Sequence, residues 1–249
     1  MNAEFLHHYS GHLNQEMYLN RYGHAGIPVV VFPSSGGSKD EFADFGMIEA
    51  AHYFIEEGKV QFFTLSSHDQ ESWLHKGKSQ HDRAEAHNAY ERYVIDEAIP
   101  FIKHYTGWFD PMMTTGCSMG AYHALNFQLK HPDVFNKTLA LSGVYDARYF
   151  GGDFGGDFGG DLAVYYNSPV DYIWTLNDPW FIDHLRQADI IVCTGLGDWE
   201  ADGLPGYYKL REAFENKNIP AWFAEWGPDV SHDWSWWRQQ LPYFLGYMV

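Results

Sequence analysis

A chain of 249 residues, 45 % of them hydrophobic, suits one large packed core better than two. Its formal net charge of −17 disfavours nucleic acid and anionic membrane surfaces as partners. Two cysteines and no uninterrupted apolar run of membrane-spanning length exclude a disulfide framework and a bundle of transmembrane helices.

The first residues, Met1-Asn2-Ala3-Glu4-Phe5, lack a basic segment followed by an apolar one, so a cytoplasmic location is expected. Glu4–Tyr9 and Gln15–Arg21 flank Ser10-Gly11-His12 and are expected as an opening antiparallel pair. Val29–Phe32 and Val60–Leu65 read as buried strands, with a helix over 42–57 stopped by Gly58. The stretch 83–105 reads as a helix that Pro100 bends or breaks. Met112–Thr115 and Thr138–Ser142 are further strands, separated by a helix over 121–130 that His131-Pro132 ends. Ile190–Thr194, a helix over 205–218, a strand over 221–226 and an aromatic helix over 233–248 complete the chain. This alternation predicts a mostly parallel α/β sheet of about eight strands flanked by helices, as one domain over 1–249. Residues 146–188 are expected as a short Gly-rich, cap-like insertion; its Gly-Gly-Asp repeat at 151–161 reads as a loop.

Gly116-Cys117-Ser118-Met119-Gly120 spells G-x-S-x-G. The bare pattern is weak, but here a short apolar run precedes it and a helix-favouring run follows. Strand, serine turn and helix are the context in which this motif raises a nucleophilic hydroxyl above a sheet. A serine needs a base to take its proton, usually a histidine oriented by a carboxylate. In this arrangement the chain order is Ser, acid, His. Of fourteen histidines, only His232 lies beyond the last expected strand. After Ile190–Thr194, Asp198 emerges first and is the leading candidate acid, with Glu200 second and Asp202 third. The oxyanion donors expected are the N–H groups of Met119 and Ser35, with Gly36 next in the loop 32–38. Gly36, His68, Trp73, Trp199 and Trp234 flank these loops and are candidate pocket residues. His123, inside the helix after Ser118, is expected to be structural.

The chain resembles the esterase-D-like family of α/β-hydrolases from about Tyr18 to its end. The marks are Val-Phe-Pro-Ser-Ser-Gly-Gly (31–37), Asp69-Gln70-Glu71-Ser72-Trp73, Tyr90-Glu91-Arg92-Tyr93-Val94, Gly-Cys-Ser-Met-Gly-Ala-Tyr-His-Ala (116–124), Leu141-Ser142-Gly143 and Ser231-His232-Asp233-Trp234 with Trp237. The resemblance implies an α/β-hydrolase fold with a small lid or none, Ser118 as nucleophile, His232 as base and an acid matching Asp198. It implies a serine esterase working through an acyl-enzyme on a small-molecule ester, without metal or organic cofactor. An acyltransferase or thioesterase with the same triad, of the S-formylglutathione hydrolase kind, stays open, as does a non-catalytic binding protein. Pro33-Ser34 stands where the family usually has His-Gly, which leaves the loop donor open.

Overall fold

Eight strands form one sheet: β1 (Glu4–Ser10), β2 (Gln15–Tyr22), β3 (Ile27–Phe32), β4 (Val60–Leu65), β5 (Met112–Cys117), β6 (Phe135–Leu141), β7 (Asp189–Thr194) and β8 (Trp222–Glu225). The computed structural model describes residues 3–151 and 161–249. The strand order is β1-β2-β4-β3-β5-β6-β7-β8. β2 runs antiparallel to β1 and β4, and every other pairing is parallel. The helices are α1 (Glu41–Asp44), α2 (Met47–Ala50), α3 (His52–Glu56), α4 (Gln80–Tyr93), α5 (Ile99–Thr106), α6 (Met119–Lys130), α7 (Leu162–Tyr165), α8 (Pro169–Thr175), α9 (Pro179–Arg186), α10 (Leu204–Lys217) and α11 (Trp234–Met248).

Strand side chains alternate between two apolar layers, as the period of a pleated strand dictates. Val29 and Val31 of β3 pack with Met47, Ile55, Trp237 and Leu241, from α2, α3 and α11. Val30 and Phe32 of the same strand pack on the opposite face with Tyr90, Ile102 and Phe127, from α4, α5 and α6. Helix α6 is buried from Met119 to Leu129, so the element that follows Ser118 is fixed within the core.

Two expected helices are subdivided. The stretch 42–57 is three short helices: Gly46 turns the chain between the first two with a left-handed φ of 79°, and Ala51, at φ −90° and ψ 6°, separates the second from the third. Between α4 and α5 lies a π-helical segment, Val94–Ala98, which places Pro100 in the first turn of α5. The helical backbone runs on from α4 through this segment into α5, and the wider π turn accommodates the proline without a break. Between β6 and β7 the described residues form a 3₁₀ turn (Ala147–Gly151), α7, α8 and α9. Residues 152–160, most of the Gly-Gly-Asp repeat, lie outside the described residues.

His87 of α4 is enclosed by Trp73, Tyr122, His123 and Phe127, and neither ring nitrogen has a hydrogen-bond partner among the described residues. Burial, then the nearby His123, holds its pKa well below the ordinary value. Burial also lowers His8 and His68. The unfolded chain takes up these protons below about pH 6.5, where the folded chain resists them. Stability is therefore expected to fall as pH drops through about 6.5, and H87F is expected to flatten that slope. Thermal midpoints between pH 7.5 and 5.5 check this; an identical slope in H87F contradicts it.

Candidate active site

β3 and β5 are neighbours in the sheet but not consecutive in the chain. Their carboxyl ends therefore open a crevice between the connections that leave them, the usual place for a ligand in such a sheet. Ser118 stands there, between β5 and α6, with φ 57° and ψ −122°. Its N–H donates to the Leu141 carbonyl at 2.9 Å, which ties the turn to β6. A Cβ on Gly116 would lie 2.4 Å from the Gly120 backbone, and one on Gly120 would lie 2.3 Å from the Phe32 carbonyl oxygen. Both glycines are thus needed for α6 to approach β3 and β5. G120A is expected to cost about 1–3 kcal/mol of stability. Denaturant titration of the variant beside the parent checks this; an unchanged midpoint contradicts it.

The acid-bearing loop after β7 and the histidine-bearing loop after β8 lie against each other. Gly197 N–H donates to the Val230 carbonyl and His232 N–H to the Asp198 carbonyl, both at 2.9 Å. A Cβ on Gly195 would meet the Val230 oxygen at 2.1 Å, so only glycine permits this approach. His232 Nδ1 is 3.3 Å from Glu200 Oε2. Asp198, the leading candidate from sequence, is exposed and meets His232 only through its main-chain carbonyl. The carboxylate at the imidazole is that of Glu200, two residues further on. The cause is local: Trp199 takes a left-handed φ of 67°, and the chain turns so that residue 200 points inward. That conformation costs a bulky residue roughly 1–3 kcal/mol.

Glu200 is 2 % exposed. Its Oε1 accepts from the Ser142 hydroxyl at 2.6 Å and the Gly195 N–H at 3.3 Å. Its Oε2 accepts from the Thr194 hydroxyl at 3.3 Å. Ser142, just past β6 with φ 56°, also accepts from the Trp237 indole N–H at 2.9 Å. The Trp237 ring meets the His232 ring edge-on, with centroids 4.9 Å apart. His232, Glu200, Ser142 and Trp237 thus form a closed ring of contacts. Ser142 has no assigned role from sequence, although Leu141-Ser142-Gly143 is among the marks of the family resemblance and the serine stands at the carboxyl end of a central strand.

Ser35, Ser118, Met119, Trp199, Glu200 and His232 open on one cavity of about 390 Å³. Met119 is the first residue of α6, so its N–H has no acceptor within the helix, and the helix's positive end faces the cavity. On the facing side, Gly37 N–H donates to the Ser34 carbonyl at 2.9 Å, which puts Ser35 and Gly36 at the corner of a turn. Glu41 anchors that turn by accepting from the Ser34 N–H at 2.8 Å and the Ser34 hydroxyl at 2.7 Å. Ser34, in place of the glycine usual in the resembled family, thus has a partner of its own. Gly36, at φ 67°, abuts Gln70.

Of the five candidate pocket residues only Trp199 lines this cavity; Gly36 is next to Ser35 in its turn but off the lining, and the other three lie elsewhere. Trp73 is in the core with Tyr122 and His87, His68 stacks on Tyr90, and Trp234 stacks on Phe45. Each flanks a site-bearing loop, but its ring turns towards apolar partners. Tyr149, Phe150 and Asp202 line the cavity instead. A larger groove of about 720 Å³ runs between α4 and α7, away from Ser118 and His232. Among the described residues no cluster of three or more His, Cys, Asp or Glu is arranged to hold a metal ion. None of the described helices is long and apolar enough to cross a membrane.

A family profile described as "Putative esterase" matches residues 10–248. Among solved structures, a ferulic acid esterase shares the fold with a TM-score of 0.75 at 17 % identity, covering 99 % of this chain and 96 % of that one. An S-formylglutathione hydrolase from Agrobacterium tumefaciens gives 0.76 at 16 % identity, covering 98 % and 93 %. FphF, a fluorophosphonate-binding serine hydrolase of Staphylococcus aureus, gives 0.69 at 15 % identity, covering 99 % and 98 %. At such identities the likeness is one of fold. No protein of curated function matches the sequence.

Proposed function

The chain belongs to the "Putative esterase" family and is a carboxylic ester hydrolase, and from that premise we propose that Ser118, His232 and Glu200 carry the reaction through an acyl-enzyme. The carrying observation is the buried Glu200 carboxylate at His232 Nδ1, with His232 opening on the same cavity as Ser118. With Nδ1 facing Glu200, Nε2 is left to take the Ser118 proton.

Ser118 Oγ attacks the ester carbonyl as His232 accepts its proton. The Met119 N–H and the Ser35 N–H hold the oxyanion, reinforced by the partial positive charge at the start of α6. Glu200 keeps the imidazole in one tautomer and stabilises the imidazolium. His232 then gives its proton to the leaving oxygen, and a water deprotonated by the same ring hydrolyses the acyl-serine. Three donors on Glu200 restrain the orientation of its carboxylate. The cavity's modest size suits short-acyl esters.

Hydrolysis of p-nitrophenyl acetate by the purified protein, blocked by one equivalent of a fluorophosphonate per chain, tests this reading. Turnover that survives full labelling overturns it. Within the same assay, S142A is expected to lower kcat about tenfold, the scale of one hydrogen bond to a charged group. S142T, which keeps the hydroxyl, is expected to retain more activity than S142A.

A further inference from the structure

We propose that Trp199 is a platform for the leaving group, which makes the site selective for neutral alcohols with a flat apolar face and hydroxyls. The inference rests on the triad reading above. The Trp199 indole is 86 % exposed, more than any other large apolar side chain among the described residues. It has no ring contact among them, and it is held at a strained positive φ. Burial does not compensate either feature. Yet the side chain lines the cavity that holds Ser118. An indole this exposed, on the lining of the cavity that holds Ser118, is a stacking surface for a flat, weakly polar group.

Its side of the cavity follows from the chemistry. His232 must protonate the leaving oxygen, so the leaving group lies on the His232 side of Ser118. Trp199 is on the acid loop, which Asp198 and Gly197 bind to the histidine loop. The indole therefore flanks the leaving group. Asp202 lines the same cavity; it accepts from the Tyr149 hydroxyl through Oδ2 at 2.9 Å, which leaves Oδ1 as an acceptor for a substrate hydroxyl.

Charge sets the second part of the selectivity. Asp198, Asp202, Asp229 and Asp233 on these two loops are all exposed, and among the described residues no lysine or arginine lines the cavity. A leaving group that carries carboxylates meets repulsion here with no cation to receive it. Neutral alcohols are therefore favoured over an anionic thiol such as glutathione.

Three esters with the same acyl group separate these effects: ethyl acetate, the 6-acetate of methyl glucoside and S-acetylglutathione. W199A is expected to raise KM for the acetylated glucoside about tenfold, with kcat within about threefold and ethyl acetate within about twofold. W199G also relieves the backbone strain, so it is expected to lose the same selectivity while its thermal midpoint holds or rises. D202N is expected to raise kcat/KM for S-acetylglutathione at least about threefold at low salt, an effect that added salt removes. Equal losses on all three esters, or none, overturn the proposal. So does a wild-type preference for S-acetylglutathione over the neutral thioester S-ethyl thioacetate at low salt. Failure to turn over any of the three, with no fluorophosphonate labelling of Ser118, instead overturns the triad reading itself.

Discussion

S118A is expected to lower kcat/KM for p-nitrophenyl acetate by at least ~10³-fold while leaving the fold as stable as before. The two halves of that expectation have separate grounds. Ser118 occupies the N-cap position of α6, where serine commonly accepts a hydrogen bond from the first turn. Here it makes no such bond, and its backbone has φ 57°. The hydroxyl therefore contributes nothing to helix capping, and its conformation is one that only the surrounding glycines and β6 enforce. Removing Oγ deletes the nucleophile without deleting a cap. A matched loss of activity and thermal midpoint would assign Ser118 a structural role; retained turnover in a clean preparation would remove it from the chemistry.

E200Q is expected to lower kcat by about 10²–10⁴-fold, whereas D198N stays within about threefold of the parent. Glutamine is nearly the size of glutamate and keeps one carbonyl oxygen for Ser142 and Gly195. Its amide cannot supply the negative charge that stabilises an imidazolium, and an NH₂ turned towards Nδ1 selects the wrong tautomer. Asp198 meets His232 through its main-chain carbonyl, which asparagine also provides. The pair of variants thus distinguishes a carboxylate that works at the imidazole from one at the surface. A crippled D198N beside a near-normal E200Q reverses the assignment. The pH dependence of kcat in E200Q, measured together with its circular dichroism, separates a lost charge from a lost loop.

The strands were legible because each is a short apolar or β-branched run bounded by turn residues, and their boundaries fell within a few residues. The sequence places the start of β6 at Thr138, whereas the strand begins at Phe135, because the polar, half-buried Asn136 and Lys137 interrupt the apolar run. The motif and the chain order singled out Ser118 and His232 as candidates without coordinates. The acid was not legible in the same way. Asp198, Glu200 and Asp202 alternate along one loop, and proximity to the strand end favours the first. What turns Glu200 inward is a positive φ at Trp199, and no sequence pattern marks a tryptophan for that conformation. Of the three tryptophans expected at the pocket, Trp199 lines the cavity, and Trp73 and Trp234 do not, for a related reason. With ten tryptophans in the chain, several must flank loops, and whether a ring faces the cavity or the core depends on tertiary packing. Trp73 and Trp234 found ring partners; Trp199 did not.

The most direct test is peptide mapping by mass spectrometry of protein labelled with a fluorophosphonate, in the parent and in E200Q. The expected result is a single adduct on Ser118 in the parent, formed at least about tenfold more slowly in E200Q. An adduct on another residue, or labelling of Ser118 at an unchanged rate without Glu200, would contradict the account.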